Sequence, residues 1–258
     1  MPHYSHEHRR LFYRERGSGP LLLVLPGSTA SSAHHLAEMA HFSDRFRVVC
    51  LDFWGTGQSD RISGPWPDNW WRICAEDAGA LAAHLGCDRF CTMGCSGGAI
   101  VALETAILLP DRVSAVIADS CVERFSAASM KIEVQNRSAA SPEMEAFWQY
   151  GHGKDWQEVV AADGELLLRF VAQGGDWAKG RLGNVSCPVL ITASMADESL
   201  DDVVDQVVGM ARQMENSFVF LSPTGDHPLM WSRSAAFRAA ADVFLDKMQN
   251  NGEWLGLC

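Results

Sequence analysis

The chain has 258 residues, 47% of them hydrophobic and 21% charged, a composition that supports a core of ordinary size without metals or disulfide staples. Its formal net charge of −11 argues against nucleic acid or an anionic membrane as a partner, because like charge repels. The polar stretch Met1 to Arg10 lacks the apolar region of a signal peptide, and the densest apolar run, Leu21 to Leu25, is far too short to cross a bilayer. A cytoplasmic location is therefore expected, with reduced thiols for the eight cysteines. Cys87, Cys91 and Cys95 recur at a spacing foreign to zinc and iron–sulfur sites and read as buried strand residues, so no metal is expected. His3, His6 and His8 read as part of a mobile terminus.

Taken in chain order, short apolar runs alternate with helical patterns, which predicts a mainly parallel sheet with helices on both faces. Leu21 to Leu25 is a continuous apolar run closed by Pro26-Gly27, as a buried parallel strand should be. Phe46 to Asp52 is the next strand and leads into the glycine-punctuated loop Trp54 to Ser59. Asn69 to Leu85 has apolar residues at helical spacing and stops at Gly86, a helix-ending residue. Arg89 to Met93 predicts a strand and Gly97 to Leu109 a helix halted by Pro110. Val113 to Ala118, Val189 to Thr192 and Phe218 to Leu221 add strands, and Arg233 to Met248 a closing helix. Between Asp119 and Val189 lie about seventy residues without a convincing strand, longer than an ordinary crossover. The expected organisation is a core of residues 1–120 and 185–258, with residues 121–184 inserted as a small helical cap.

The sharpest chemical signal is Gly94-Cys-Ser-Gly-Gly98, a G-x-S-x-G pattern placed after a strand and at the start of a helix. There Ser96 occupies a tight turn, the flanking glycines remove Cβ clashes, and the following helix aims its first amides at a developing oxyanion. A serine hydroxyl is a poor nucleophile without a base. His227, in Thr224-Gly-Asp-His-Pro228, falls on a loop at the carboxyl edge of the sheet, where such a base would stand. The base needs a carboxylate to orient it. Asp197 lies between serine and histidine in chain order, and Asp119, at the end of an earlier strand, competes for the role. Glu198 and Asp201 read as solvated charges at a helix start. Gly97 and Ser28 are the expected amide donors to an oxyanion, with Thr29 as the alternative to Ser28.

These pieces resemble the α/β-hydrolase superfamily over nearly the whole chain. The match rests on Leu25-Pro-Gly-Ser28, Asp52-Phe-Trp-Gly-Thr-Gly-Gln-Ser59, Gly94-Cys-Ser-Gly-Gly98, Asp197 and His227, in the family's order. The Pro-Gly turn at residues 26–27, where many relatives have His-Gly, is similar to that of the valacyclovir-hydrolase and biphenyl-hydrolase-like group. That group carries an acidic residue after its nucleophile, where this chain has Gly97, and many relatives have arginine where this chain has Trp54. The resemblance implies a triad hydrolase without metal or organic cofactor, working through an acyl-enzyme beneath a helical lid. Serine rather than aspartate at position 96 argues against dehalogenase or epoxide-hydrolase chemistry.

The expected substrate is a small carboxylic ester, with lactones and thioesters close to it. Trp148, Trp156 and Trp177 are the candidate substrate-binding residues, and with Phe147, Phe170, Trp66, Trp70 and Trp71 they point to an apolar pocket; packing of cap on core is the competing explanation. A carbon–carbon bond hydrolase of the same fold, or a hydrolase-fold receptor without turnover, remains open. Oligomeric state has no signature in the sequence.

Overall fold

The computed structural model describes residues 2–250. Its strands are β1 (His3–His6), β2 (Arg9–Arg16), β3 (Leu21–Leu25), β4 (Arg47–Leu51), β5 (Phe90–Cys95), β6 (Val113–Asp119), β7 (Val189–Ser194) and β8 (Ser217–Ser222). The helices are α1 (Leu36–Phe42), α2 (Trp70–His84), α3 (Gly97–Leu108), α4 (Ala127–Ser138), α5 (Pro142–His152), α6 (Trp156–Ala172), α7 (Val203–Gln213), α8 (Leu229–Ser232) and α9 (Ser234–Asn250). One eight-stranded sheet has the order β1-β2-β4-β3-β5-β6-β7-β8. Pairing is parallel from β4 through β8, while β1 and β2 run antiparallel at one edge.

Strand β3 shows why the sheet is covered twice. Alternate side chains of a strand point to opposite faces, and here Leu21, Leu23 and Leu25 enter one hydrophobic cluster while Leu22 and Val24 enter another. The first cluster holds residues of α2, α3 and α7; the second holds residues of α1 and α9. All five β3 side chains are fully buried, as a continuous apolar run requires.

The N-terminus departs from expectation. His3 to His6 is an ordered strand rather than a mobile tail, because Tyr4 is buried beside Tyr13 and His6 Nδ1 lies 2.7 Å from Asp77 Oδ1. Strand β2 is hidden in the sequence by its charged ends; Leu11, Phe12 and Tyr13 are buried, and Arg9 reaches the buried Asp77 at 2.8 Å. The thiol expectation also needs one correction. Cys50, Cys74, Cys91, Cys95, Cys121 and Cys187 are free and buried, but Cys87 is disulfide-bonded.

Helices α4, α5 and α6 occupy the interval between β6 and β7. Ser126 and Ser141 cap the first two through hydrogen bonds to the amides of Ser129 and Met144, and Pro142 pre-sets the first turn of α5. These helices are tied to the segment after β4 by specific groups. Arg61 clamps Asp155 through Nε at 2.7 Å and Nη2 at 3.0 Å, and also donates to the carbonyl of His152. No described helix is long and apolar enough to cross a membrane.

Candidate active site

Ser96 sits between β5 and α3 with φ 52° and ψ −125°, a left-handed conformation that L-residues avoid without outside support. The support is close packing around two glycines. A Cβ on Gly94 would lie 2.1 Å from the Gly98 carbonyl oxygen, and one on Gly98 would lie 2.1 Å from the Leu25 carbonyl oxygen. Only backbone surrounds these points, so nothing can swing aside. Gly98→Ala should therefore destabilise the fold by at least about 3 kcal/mol, at the upper end of overpacking costs; urea unfolding measures it, and a loss below 1 kcal/mol (roughly one methylene's worth) would contradict the packing argument.

His227 lies on the loop between β8 and α8, and its Nε2 is 2.9 Å from Ser96 Oγ. Its Nδ1 is 2.8 Å from Asp197 Oδ2, and Asp197 Oδ1 accepts the Ser199 amide at 3.0 Å. With Nδ1–H donated to the carboxylate, Nε2 is left to accept the serine proton. Burial opposes charge on His227, but the hydrogen bond and charge of Asp197, followed by the charges of Asp119 and Glu133, outweigh it and raise the pKa. The loop is held by Ser194, whose hydroxyl donates to the Gly225 carbonyl at 2.6 Å.

Asp119, the competing carboxylate, is hydrogen-bonded to other groups. It is fully buried, its Oδ1 accepts Thr192 Oγ1 at 2.6 Å and its Oδ2 accepts the Met230 amide at 2.9 Å. Burial pushes its pKa up to about 7. It pins the segment after His227 to the end of β6. Glu198, read from sequence as a solvated charge, accepts the backbone amide of His227 at 3.2 Å.

The two candidate amide donors converge. Gly97 opens α3, so its N–H has no partner inside the helix. A side chain on Gly97 would put its first carbon 3.2 Å from the Ser28 nitrogen and 2.5 Å from Ser28 Oγ, so the two residues face each other next to Ser96. The loop bearing Ser28 is pinned by residues of α5. Trp148 donates its indole N–H to Thr29 Oγ1 at 3.0 Å. His152 Nδ1 accepts the Gly57 amide at 2.9 Å, which leaves Nε2–H to donate to the Thr29 carbonyl at 2.9 Å. His34 Nδ1 accepts the Ser31 amide, and its Nε2–H donates to the Phe147 carbonyl at 3.0 Å.

Burial lowers the pKa of His152 to about 4, from an ordinary value near 6.5. The unfolded chain then takes up a proton near pH 6.5 that the folded chain refuses until about pH 4. Stability contributed by neutral His152 is present above 6.5 and declines as pH falls through that window, by about 3 kcal/mol in total. Thermal unfolding between pH 7 and 4 should show this loss, and His152→Gln should flatten it.

Of the three tryptophans expected to bind substrate, Trp148 and Trp177 engage their indole N–H groups within the protein. Trp148 is buried and stacks on Trp156, with ring centroids 5.5 Å apart. Trp177 is buried and donates to the Val122 carbonyl at 2.8 Å. Trp148 thereby joins α5 to the turn after β3, whereas the Trp177 hydrogen bond stays within residues 121–184. A second charged group joins α4 to α6: buried Asp163 of α6 bridges to Arg137 of α4, which also holds Glu133 at 3.0 Å. Burial raises the Asp163 pKa, while the Arg137 charge, and more weakly hydrogen bonding from Ser28, hold it down. No group of His, Cys, Asp and Glu suited to a metal ion occurs among the described residues.

A strand, a strained serine turn and a helix, with an imidazole and a carboxylate aligned behind, define a hydrolase class. The chain belongs to the α/β-hydrolase family, whose model ("alpha/beta hydrolase fold") matches residues 20–170. It is similar to haloalkane dehalogenase 2 of Mycobacterium tuberculosis, 33% identical over 110 residues, a match spanning 42% of this chain but only 37% of that relative. It is 26% identical over 211 residues to a putative carbamate hydrolase, RutD, of Agrobacterium fabrum, covering 74% of this chain and 80% of that protein. The crystal structure of a hydrolase from Pseudomonas aeruginosa superposes with a TM-score of 0.75 at 18% identity, covering 95% of this chain and 97% of that one, a likeness of fold.

Proposed function

We propose that this chain is a serine hydrolase that cleaves small carboxylic esters, lactones or thioesters through an acyl-enzyme. The observation that carries the reading is the continuous hydrogen-bonded line from Ser96 Oγ to His227 Nε2, at 2.9 Å, and from His227 Nδ1 to Asp197 Oδ2, at 2.8 Å. His227 takes the Ser96 proton as the hydroxyl oxygen attacks the substrate carbonyl carbon. The amides of Ser28 and Gly97 receive the carbonyl oxygen as it gains charge. His227 returns the proton to the leaving alcohol or thiol, the acyl-enzyme forms, and a water activated by the same imidazole releases the acid.

The raised pKa of His227 sets the acid limb: activity should fall as pH drops through a value above the usual 6.5 for histidine, where the base becomes protonated. Dehalogenation is not part of the proposal, because Ser96 stands where a carboxylate nucleophile would be needed. The relative named a carbamate hydrolase fits attack on a carbonyl. No acidic side chain follows the nucleophile, so a preference for amino-acid esters is left out.

The direct test is labelling with a fluorophosphonate probe alongside turnover of p-nitrophenyl butyrate. The wild-type chain should label and turn over, and Ser96→Ala should do neither. Labelling that persists in Ser96→Ala sinks the assignment of the nucleophile.

A further inference from the structure

The buried and half-buried arginines of this acidic chain mostly hold carboxylates. Arg9 pairs with Asp77, Arg61 with Asp155, Arg137 with Asp163 and Arg181 with Glu104. Arg89 is different. It is half-buried immediately before β5, and among the described residues no carboxylate pairs with its guanidinium and its Nε has no hydrogen-bond partner.

Open space adjoins this side chain. Arg89 lines a cavity of about 420 Å³ at the amino ends of β5, β6, β7 and β8, a volume within the roughly 300–1,000 Å³ of small-molecule sites. Lys247 of α9 lines the same cavity, and its Nζ lies 4.3 Å from the centroid of the Phe218 ring, which is also part of the wall. Asn216 and Ser114 add polar groups, and Pro188 adds apolar surface beside Phe218. No described aspartate or glutamate lines the cavity. The acid next to Lys247 in sequence, Asp246, is taken by Arg45.

Two cations that border one space without a carboxylate between them attract an anion. The planar guanidinium of Arg89 can offer paired N–H groups to two oxygens of a carboxylate or phosphate. The apolar wall suits carbon attached to that charge. We propose that this cavity binds a small organic oxyanion, a carboxylate or phosphate monoester with a short apolar tail. Its oxygens meet Arg89 and Lys247, and its tail lies along Phe218 and Pro188. The cavity is separate from the candidate active site, because Ser96 follows the carboxyl end of β5 whereas Arg89 precedes its amino end, about 20 Å away along the strand. The proposal goes beyond the hydrolase reading and does not rest on it.

Calorimetric titration of the whole chain with hexanoate, hexyl phosphate, inorganic phosphate and hexylamine tests it. Hexanoate or hexyl phosphate should bind saturably at millimolar concentration, and the tighter of the two identifies the anionic group. Inorganic phosphate should bind at least about fivefold more weakly than hexyl phosphate, since it has no tail to bury. Hexylamine should not bind. Arg89→Gln should weaken the tighter anion by about tenfold or more, through loss of charged hydrogen bonds. Arg89→Lys should recover only part of that loss, because the ammonium keeps the charge and lacks the fork. Lys247→Gln, at an exposed position, should cost about threefold and supplies the answer if Arg89→Gln fails to fold. Unchanged unfolding midpoints show that lost affinity is not lost folding. No saturable binding, equal binding of hexylamine, full recovery in Arg89→Lys, or an affinity indifferent to both glutamine variants would overturn the proposal.

Discussion

Ser96→Ala should lower kcat on p-nitrophenyl butyrate by about 10⁶-fold, with KM changed by less than about threefold and the unfolding midpoint unchanged. The size follows from the single hydrogen-bonded line described above: without the hydroxyl there is no covalent path, and only amide donors and binding remain. The same logic predicts non-additivity. His227→Ala alone should cost about as much as Ser96→Ala, and the double variant little more than either, because nucleophile and base act as one unit. Multiplicative losses in the double variant would mean that serine and histidine contribute independently, against the 2.9 Å contact between them. Stopped-flow single-turnover measurements keep product release from masking the chemical step.

Asp197→Asn should lower kcat by about 10⁴-fold, since an amide at this position can stabilise the wrong imidazole tautomer and cannot offset the imidazolium charge. The same substitution at Asp119 tests the competing carboxylate. With both Asp119 oxygens already taken by Thr192 and Met230, Asp119→Asn should shift the acid limb of the pH–rate profile downward, through the loss of a charge that raises the His227 pKa, and cost far less in rate. If the two variants were equally impaired, the base would be oriented by both acids, contrary to the hydrogen bonds seen.

The parts of this site that could be read from the sequence are those where chemistry forces a residue type into a short motif. Gly94 and Gly98 flank Ser96 because backbone passes within 2.1 Å of where their side chains would be. Such crowding is local and leaves a pattern. His227 and Asp197 are legible as candidates because each follows a strand that announces itself by apolar runs, β8 and β7. Strands β1 and β2 did not announce themselves, since the burial of Tyr4, Leu11 and Tyr13 is masked by neighbouring histidines and arginines whose partners, such as Asp77, lie about seventy positions away.

Aromatic residues mark the opposite limit. Trp148 and Trp177 share with Trp71 a bulky side chain and deep burial, yet two spend the indole N–H on a protein acceptor and one does not. Nothing in composition or spacing separates these cases, because the acceptor, the Thr29 hydroxyl or the Val122 carbonyl, comes from far along the chain. The Glu133–Arg137–Asp163 group is legible only in part: Glu133 and Arg137 sit one helical turn apart on α4, but Asp163 arrives from α6.

The clasp formed by Trp148 and His152 on Thr29 has a practical consequence for anyone re-engineering this enzyme class. Exchanging residues 121–184 for the equivalent stretch of a relative would change more than α4, α5 and α6 themselves. It would also remove the struts that fix the turn bearing Ser28, so chimaeras should transplant the β3 turn together with α5. Swaps that honour this pairing should retain turnover, and those that break it should fold yet stall at the first chemical step.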